Sequence, residues 1–320
     1  MKQTLTDTDG ITTVSAKSLI ALREQAKQLP LSSARIRARQ GGAYLSSFRG
    51  RGMEFEESRM YMPGDDIRNM DWRVTARTGN AHTKVFREER ERPVLLWLDL
   101  NASMMFATRG AYKAVIASKI AALLAWSAVQ HNDRLGALIF AGDQHSEIRP
   151  QRGKNAALAV IGNLVKHPAW QAHADKHRDM PGAVSRLRKV TRPGSLVFML
   201  SDFRGMNHQC DIHLANIARH SDVVMIHIGD PIEDQLPPRG HYQVSDGNRI
   251  ITLNTADKHY RQQYHQRFDK LRQHLQKLCR QHRMFYLPVS TGDDILASLH
   301  AGLGLRAHAQ SAQRKHRRHG

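Results

Sequence analysis

The sequence predicts an α/β fold over residues 93–305: a doubly wound, mostly parallel sheet with helices on both faces, preceded by a small, charged, β-containing N-terminal segment. Three observations predict it. After Pro93 short apolar runs and helical segments alternate with brief connections, the pattern of parallel strands joined by crossover helices. Val94–Leu98 is a continuous apolar run, as a strand covered on both faces requires, and Ser195–Leu200 and Val223–Ile228 read as further strands. Tyr260, Tyr264, Phe268, Leu271, Leu275 and Leu278 recur at helical spacing and form one stripe suited to packing on a sheet.

The elements follow in order. Residues 1–14 are polar and Thr/Asp-rich and read as a flexible start. Residues 15–92 hold a helix, a Gly/Arg-rich loop and a small charged β segment expected to dock on the main domain. Ser15 caps the helix, which should run to about Gln28 with Leu19, Ile20 and Leu22 as its apolar side. The loop is GGAYLSSFRGRG, from Gly41 to Gly52. Met53–Tyr61 and His82–Phe86 read as strands, separated by the turn Pro63-Gly64-Asp65-Asp66 and a helical segment, IRNMDWRVTAR, that Asp66 caps.

In the main domain Val94–Leu98 is followed by a helix over Gly110–His131, a strand over Arg134–Phe140 and its hairpin partner over Asp143–Arg149. Helices are expected at Asn155–Lys166, Ala183–Val190 and Asp211–His220, and an exposed hairpin between Pro237 and Leu253 around Asp246-Gly247. A strand at Met284–Val289 and a helix at Asp293–Leu303 complete the domain. The tail, residues 306–320, has five Lys or Arg and no acid and reads as disordered.

Bulk properties narrow the function. The formal net charge of +19 attracts polyanions: nucleic acid, an anionic membrane surface or an acidic protein. Aromatic residues make up only 6%, and no aromatic-rich basic strand supplies base-stacking platforms. Cys210 and Cys279 provide no disulfide framework and read as reduced, buried side chains. No apolar stretch reaches the about 20 residues of a membrane span, so the chain reads as cytoplasmic. Serine-hydrolase, P-loop and zincin motifs are missing, and His173 and His177, though four apart, lie in a charged loop.

Two constellations remain. Asp99-Leu100-Asn101-Ala102-Ser103 directly follows a buried strand, and Ser201-Asp202 stands at the same end of another, where open α/β sheets bind ligands. Asp99, Asn101 and Ser103 alternate along the loop, so their oxygens can converge with Asp202 on a hard cation such as Mg²⁺; taken singly, the two aspartates read as loop and helix caps. The second constellation is Arg59, Tyr61, Gly64, Asp65, Asp66, Arg68, Asp71, Trp72 and Arg77, a mixed-charge segment that reads as a structural clamp of Arg–carboxylate pairs.

The first constellation resembles the metal-ion-dependent adhesion site of von Willebrand factor A domains, Asp-x-Ser-x-Ser with a distant Thr and a distant Asp. Asp99, Ser103 and Asp202 match; Asn101 replaces a Ser, and the loop expected to hold the Thr reads RPQRGK, from Arg149 to Lys154. Arg152 or Lys154 there offers Asp99 a built-in cation in place of a metal. The run RGRGMEFEESRMYMPGDDIRNMDWRVTARTGNAHTKVFREE, followed by LLWLDLNASM, closely resembles the domain of unknown function 58 family, bacterial von Willebrand factor A-like proteins associated with MoxR-type AAA+ ATPases. That resemblance implies a von Willebrand factor A-like sheet domain and a role as a MoxR partner.

The resulting expectation is a non-catalytic adaptor that presents Asp99, Asn101, Ser103 and Asp202 to a protein partner, working with a MoxR-type AAA+ ATPase. A basic nucleic-acid-binding protein is the alternative, and a metal-dependent hydrolase ranks last because Asp99 and Asp202 are a single acid pair.

Overall fold

The computed structural model describes residues 8–29, 53–63, 65–88, 93–171, 179–234, 236–245 and 250–303. The Gly/Arg-rich loop, Gly64, His173, His177, the hairpin turn at Asp246-Gly247 and the basic tail lie outside them.

At the N-terminus, residues expected to be flexible form a hydrogen-bonded turn in which Gly10 and Thr13 pair. Asp9 accepts from the Ser15 amide at 2.7 Å and the Ser18 hydroxyl at 3.1 Å. Ser15 caps the helix as its sequence predicts, but the helix breaks at Leu22 into α1 (Ala16–Ala21) and α2 (Arg23–Ala26). The break turns Leu19, Ala26 and Leu29 inward, fully buried, and leaves Ile20 exposed, which corrects its assignment to the apolar side.

The chain divides into two units, residues 44–92 and the remainder. In the smaller, β1 (Met53–Met60) and β2 (His82–Glu88) pair antiparallel with a bulge between Phe55 and Glu57. Between them the expected helix splits. Asp66 caps only a 3-10 turn, Ile67–Asn69; Met70 is extended and bridges Thr83, and Asp71 caps a new helix, α3 (Trp72–Thr78).

In the larger unit the strands are β3 (Pro93–Asp99), β4 (Arg134–Ala141), β5 (Gln144–Gln151), β6 (Leu196–Ser201), β7 (Asp222–Gly229) and β10 (Phe285–Ser290). They form one sheet in the order β10-β7-β6-β3-β4-β5, parallel throughout except for the β4–β5 edge hairpin. A separate hairpin, β8 (His241–Ser245) with β9 (Ile250–Asn254), stands between α8 (Pro231–Asp234) and α9 (Lys258–Gln281).

Both faces are covered. Against one lie α4 (Lys113–Gln130), α5 (Lys154–Val165), α10 (Ile295–Gly302) and the N-terminal helices, packed on Leu96, Leu98, Phe198 and Leu200. Against the other lie α6 (Met180–Val190), α7 (His208–Ala218) and the C-terminal half of α9, packed on Leu95, Trp97, Val197 and Met199. Such two-sided burial is why the strands read as continuous apolar runs. The N-terminal helices belong to this core: Trp126 Nε1 on α4 donates to the Leu19 carbonyl at 3.3 Å, and the Ser127 hydroxyl donates to the Leu29 carbonyl.

α4 is the one helix among the described residues long and apolar enough to cross a membrane, but 83% of it is buried inside the unit, as a core helix would be. Its start is later than Gly110 because Gly110 has φ +70°, and a Cβ there would stand 2.2 Å from the Thr291 carbonyl oxygen. The stripe on α9 is only half a sheet-facing stripe: Leu275 and Leu278 are buried, whereas Tyr260, Tyr264 and Phe268 form a half-buried aromatic ladder with centroid separations of 6.4 and 5.0 Å.

Candidate functional site

β3 and β6 are parallel neighbours in register, so Asp99 and the Ser201-Asp202 pair emerge side by side at the carboxyl edge of the sheet. The structure brings together Asp99, Asn101, Ser103 and Asp202 at that edge as buried residues, Asp99 and Asp202 each 1% exposed. Asp99 Oδ1 accepts from the Asn101 amide at 2.8 Å and from Asn101 Nδ2 at 2.7 Å, and its Oδ2 accepts from the Ser201 hydroxyl at 2.6 Å. Asn101 Oδ1 in turn accepts from the Gly142 amide at 2.7 Å, fixing the β4–β5 turn. Ser103 lies on a 3-10 turn, Ala102–Met104. Ser201, named in the sequence beside Asp202 but given no role of its own, also accepts from the Phe203 amide at 2.8 Å through its Oγ.

The cation of the site comes from an unexpected place. Arg152 and Lys154, the expected built-in cations, are exposed on the loop and first turn before and within α5. Lys113, the first residue of α4, is instead 0% exposed, with Nζ 2.8 Å from Asp202 Oδ2 and 2.6 Å from Glu233 Oε1. Arg204 joins the cluster, 2.5 Å from Glu233 and 3.4 Å from Asp202, and its guanidinium lies 5.0 Å over the Phe268 ring. A cation in the first turn of a helix is opposed by the helix dipole, so the two carboxylates are what hold Lys113 there.

Beside this cluster Asp230, at the end of β7, ties three segments together. It accepts from the Thr108 amide at 2.7 Å and the Thr291 hydroxyl at 2.8 Å, from the Thr108 hydroxyl, and from the Ile232 amide at 3.1 Å. The loop between β3 and α4 is thereby latched to the ends of β7 and β10. Sequence reasoning missed Lys113, Glu233 and Asp230. A signal existed for the first: a lysine opens a mostly apolar helix, KAVIASKIAALLAWSAVQ, most of whose residues are buried.

The electrostatics split the two aspartates. Burial, and then the charge of Asp202, push the Asp99 carboxyl up to about 6. Burial would push Asp202 the same way, but Lys113 and Arg204 outweigh it and hold Asp202 down to about 2. His227, near Asp202, is driven down to about 4 by burial and shares a 2.6 Å hydrogen bond with the Tyr286 hydroxyl, so it is neutral at neutral pH.

The donor set does not fit Mg²⁺. A divalent ion between Asp99 and Asp202 would have to displace the Lys113 ammonium from Asp202 and strip Asp99 of its Asn101 and Ser201 donors. The Asn101 carbonyl oxygen, the replacement for the missing Ser, is turned to the Gly142 amide. Hard cations take several oxygens with open lone pairs, and here Asp99 Oδ1 already accepts two hydrogen bonds and Asp202 Oδ2 holds the Lys113 ammonium.

Residues 57–274 match the family described as "Protein of unknown function DUF58". The chain belongs to the DUF58 family. Uncharacterized proteins of Mycobacterium tuberculosis and Mycobacterium bovis are 33% identical to it over 205 residues, 64% of this chain, and the chain spans 64% of the length of those relatives. Among solved structures, conserved hypothetical protein BatB from Bacteroides thetaiotaomicron is 14% identical, covering 68% of this chain and 99% of its own, with a TM-score of 0.42. An aerotolerance-related membrane protein from Bacteroides fragilis is 10% identical, covering 67% and 99%, with a TM-score of 0.44.

The charged signature of this DUF58 chain is held together less by ion pairs than its sequence suggests. Arg59 does pair with Asp65, at 2.6 Å, and that hydrogen bond keeps the Asp65 carboxyl below its usual range. Asp66 and Asp71, however, serve as caps: Asp66 accepts from the Arg68 amide at 3.0 Å, and Asp71 from the Val74 amide at 3.2 Å and the Ser58 hydroxyl at 2.6 Å. Among the described residues Arg68 and Arg77 make no carboxylate pair, and those residues show one bridge and two caps in this segment. Tyr61 pairs its amide with the Ala81 carbonyl at 2.8 Å, and Trp72 is 67% exposed rather than anchored. Gly64 lies outside the described residues.

Proposed function

We propose that this DUF58 protein is a non-catalytic, protein-binding adaptor with a von Willebrand factor A-like sheet domain, that it works in the cytoplasm with a MoxR-type AAA+ ATPase, and that it docks through the carboxyl edge of its main sheet. The observation that carries the reading is that Asp99, Ser201, Asp202, Lys113 and Glu233 at this edge are buried and hydrogen-bonded to neighbouring groups. A reaction centre needs a nucleophile or base with a free lone pair facing a substrate. Here Asp99, Ser201, Asp202 and Glu233 accept from neighbours, the last two from the Lys113 ammonium, and so rigidify an edge whose rim, Thr108, Arg109 and Gly205, is exposed. The buried carboxylates act as supports for that rim, not as contacts themselves. The ATPase as partner rests on the resemblance of the charged signature and of LLWLDLNASM to MoxR-associated proteins.

The test is binding of the purified MoxR-type ATPase of the same cell to wild type and to Arg109→Glu, with circular dichroism confirming that the variant folds. Binding lost in Arg109→Glu supports the edge as the docking face; equal binding by both proteins removes it. A second reading, nucleic-acid binding, is favoured by one observation, the net charge of +19.

A further inference from the structure

We infer that Lys113 is the resident cation of the sheet edge, so that the site is built to hold its shape without any divalent metal. The charge balance leads there. Asp202 and Glu233, 1% and 5% exposed, converge on one fully buried ammonium that comes from the helix following β3. Isolated carboxylates at that depth would be strongly disfavoured as charges, and a buried acid pair is retained only with a cation and further hydrogen bonds beside it. Arg204 supplies a second positive charge, 2.5 Å from Glu233 and 3.4 Å from Asp202. Asp99, which touches neither cation, is satisfied by neutral donors alone: the Asn101 amide and side chain, and Ser201.

The covalent tether changes what the site can sense. A metal-centred edge is switched by ion concentration and offers an open coordination position to a partner's carboxylate; an ammonium fixed to α4 does neither. The edge is therefore constitutively formed, and a protein that docks on it needs no acidic side chain to complete a coordination shell.

Mn²⁺ titration followed by electron paramagnetic resonance, on the full chain, tests the inference. Wild type should show no saturable Mn²⁺ binding beyond that of Asp99→Asn and no shift in melting temperature with Mn²⁺ or Mg²⁺. Lys113→Ala, which leaves Asp202 and Glu233 without their ammonium, should gain Mn²⁺ binding that the further change Asp202→Asn abolishes. Stoichiometric Mn²⁺ binding by wild type that Asp99→Asn removes would overturn the inference, as would a folded Lys113→Ala that takes up none. If Lys113→Ala does not fold, the wild-type titration with its Asp99→Asn control decides alone. Loss of ATPase binding in Arg109→Glu bears on the docking face and leaves this result untouched.

Discussion

Asp99 and Asp202 stand at adjoining strand ends yet respond to pH in opposite directions. Asp99, raised to about 6, binds its proton more readily folded than unfolded; its contribution is complete below the unfolded value near 3.8 and is lost as pH rises through 6. Asp202, held down to about 2, contributes above 3.8, and that contribution is lost as pH falls through 2. Between about pH 4 and 6 the Asp99 contribution should therefore fall as pH rises, while His227, held down to about 4, contributes stability that rises over the same window, so the Asp99 part is read as the difference between wild type and Asp99→Asn in denaturant unfolding. In Asp99→Asn the falling contribution should be gone and stability should rise more steeply with pH than in wild type, because the amide can still accept from Asn101 and donate to Ser201 without ionising. A slope of equal steepness in wild type and Asp99→Asn would show that the proton belongs elsewhere. The convergence of these aspartates was legible in the sequence, because each follows a buried strand and parallel neighbours end on the same edge. Lys113 was not, since it pairs with Asp202 across 89 residues and with Glu233 across 120, separations that no local pattern encodes.

At the scale of elements, the strands were the most readable. Burial on both faces writes itself as short, mostly apolar runs, and β3, β4, β6 and β7 fall within about two residues of their sequence-based positions. Helix ends were less readable, because hydroxyl and carboxylate caps decide them. Asn207 accepts from the Cys210 amide and starts α7 at His208, ahead of Asp211. Asp179 accepts from the Gly182 amide and starts α6 at Met180, ahead of Ala183. The N-terminal pair α1–α2 lies where the sequence puts it, but its buried side was misread in part: a three-and-four pattern shows that a helix has an apolar side but not which neighbour receives it. Here the receiver is α4, and the buried set is Leu19, Ala26 and Leu29. Leu19→Ala should therefore behave as a core truncation of the sheet unit and cost about 2–5 kcal/mol in denaturant unfolding. Ile20→Ala, one position away and 40% exposed, should change little. Similar losses in both variants would mean that the N-terminal helices do not share the core of the main sheet.

For the whole molecule, the net charge of +19 is the property that any partner meets first. Its effect on a docking protein and its effect on a polyanion differ in kind. With an acidic protein partner, long-range attraction speeds encounter, while the rate of leaving is set by the close contacts of the edge. Raising ionic strength from 0.01 M to 0.15 M shortens the screening length from about 30 Å to about 8 Å. Association with the ATPase should therefore slow steeply over that range while dissociation stays nearly constant. With DNA or RNA the affinity itself is counterion release, so the logarithm of the binding constant should fall linearly with the logarithm of salt. Removing residues 306–320, which carry five basic residues and no acid, should flatten that line. Stopped-flow association with the ATPase and filter binding with duplex DNA, each on the full chain and on the chain ending at Leu305, separate the two. Association rates indifferent to salt, together with DNA affinity that depends on salt and on the tail, would move the function from adaptor to nucleic-acid binder, because the charge would then serve the phosphates instead of the sheet edge.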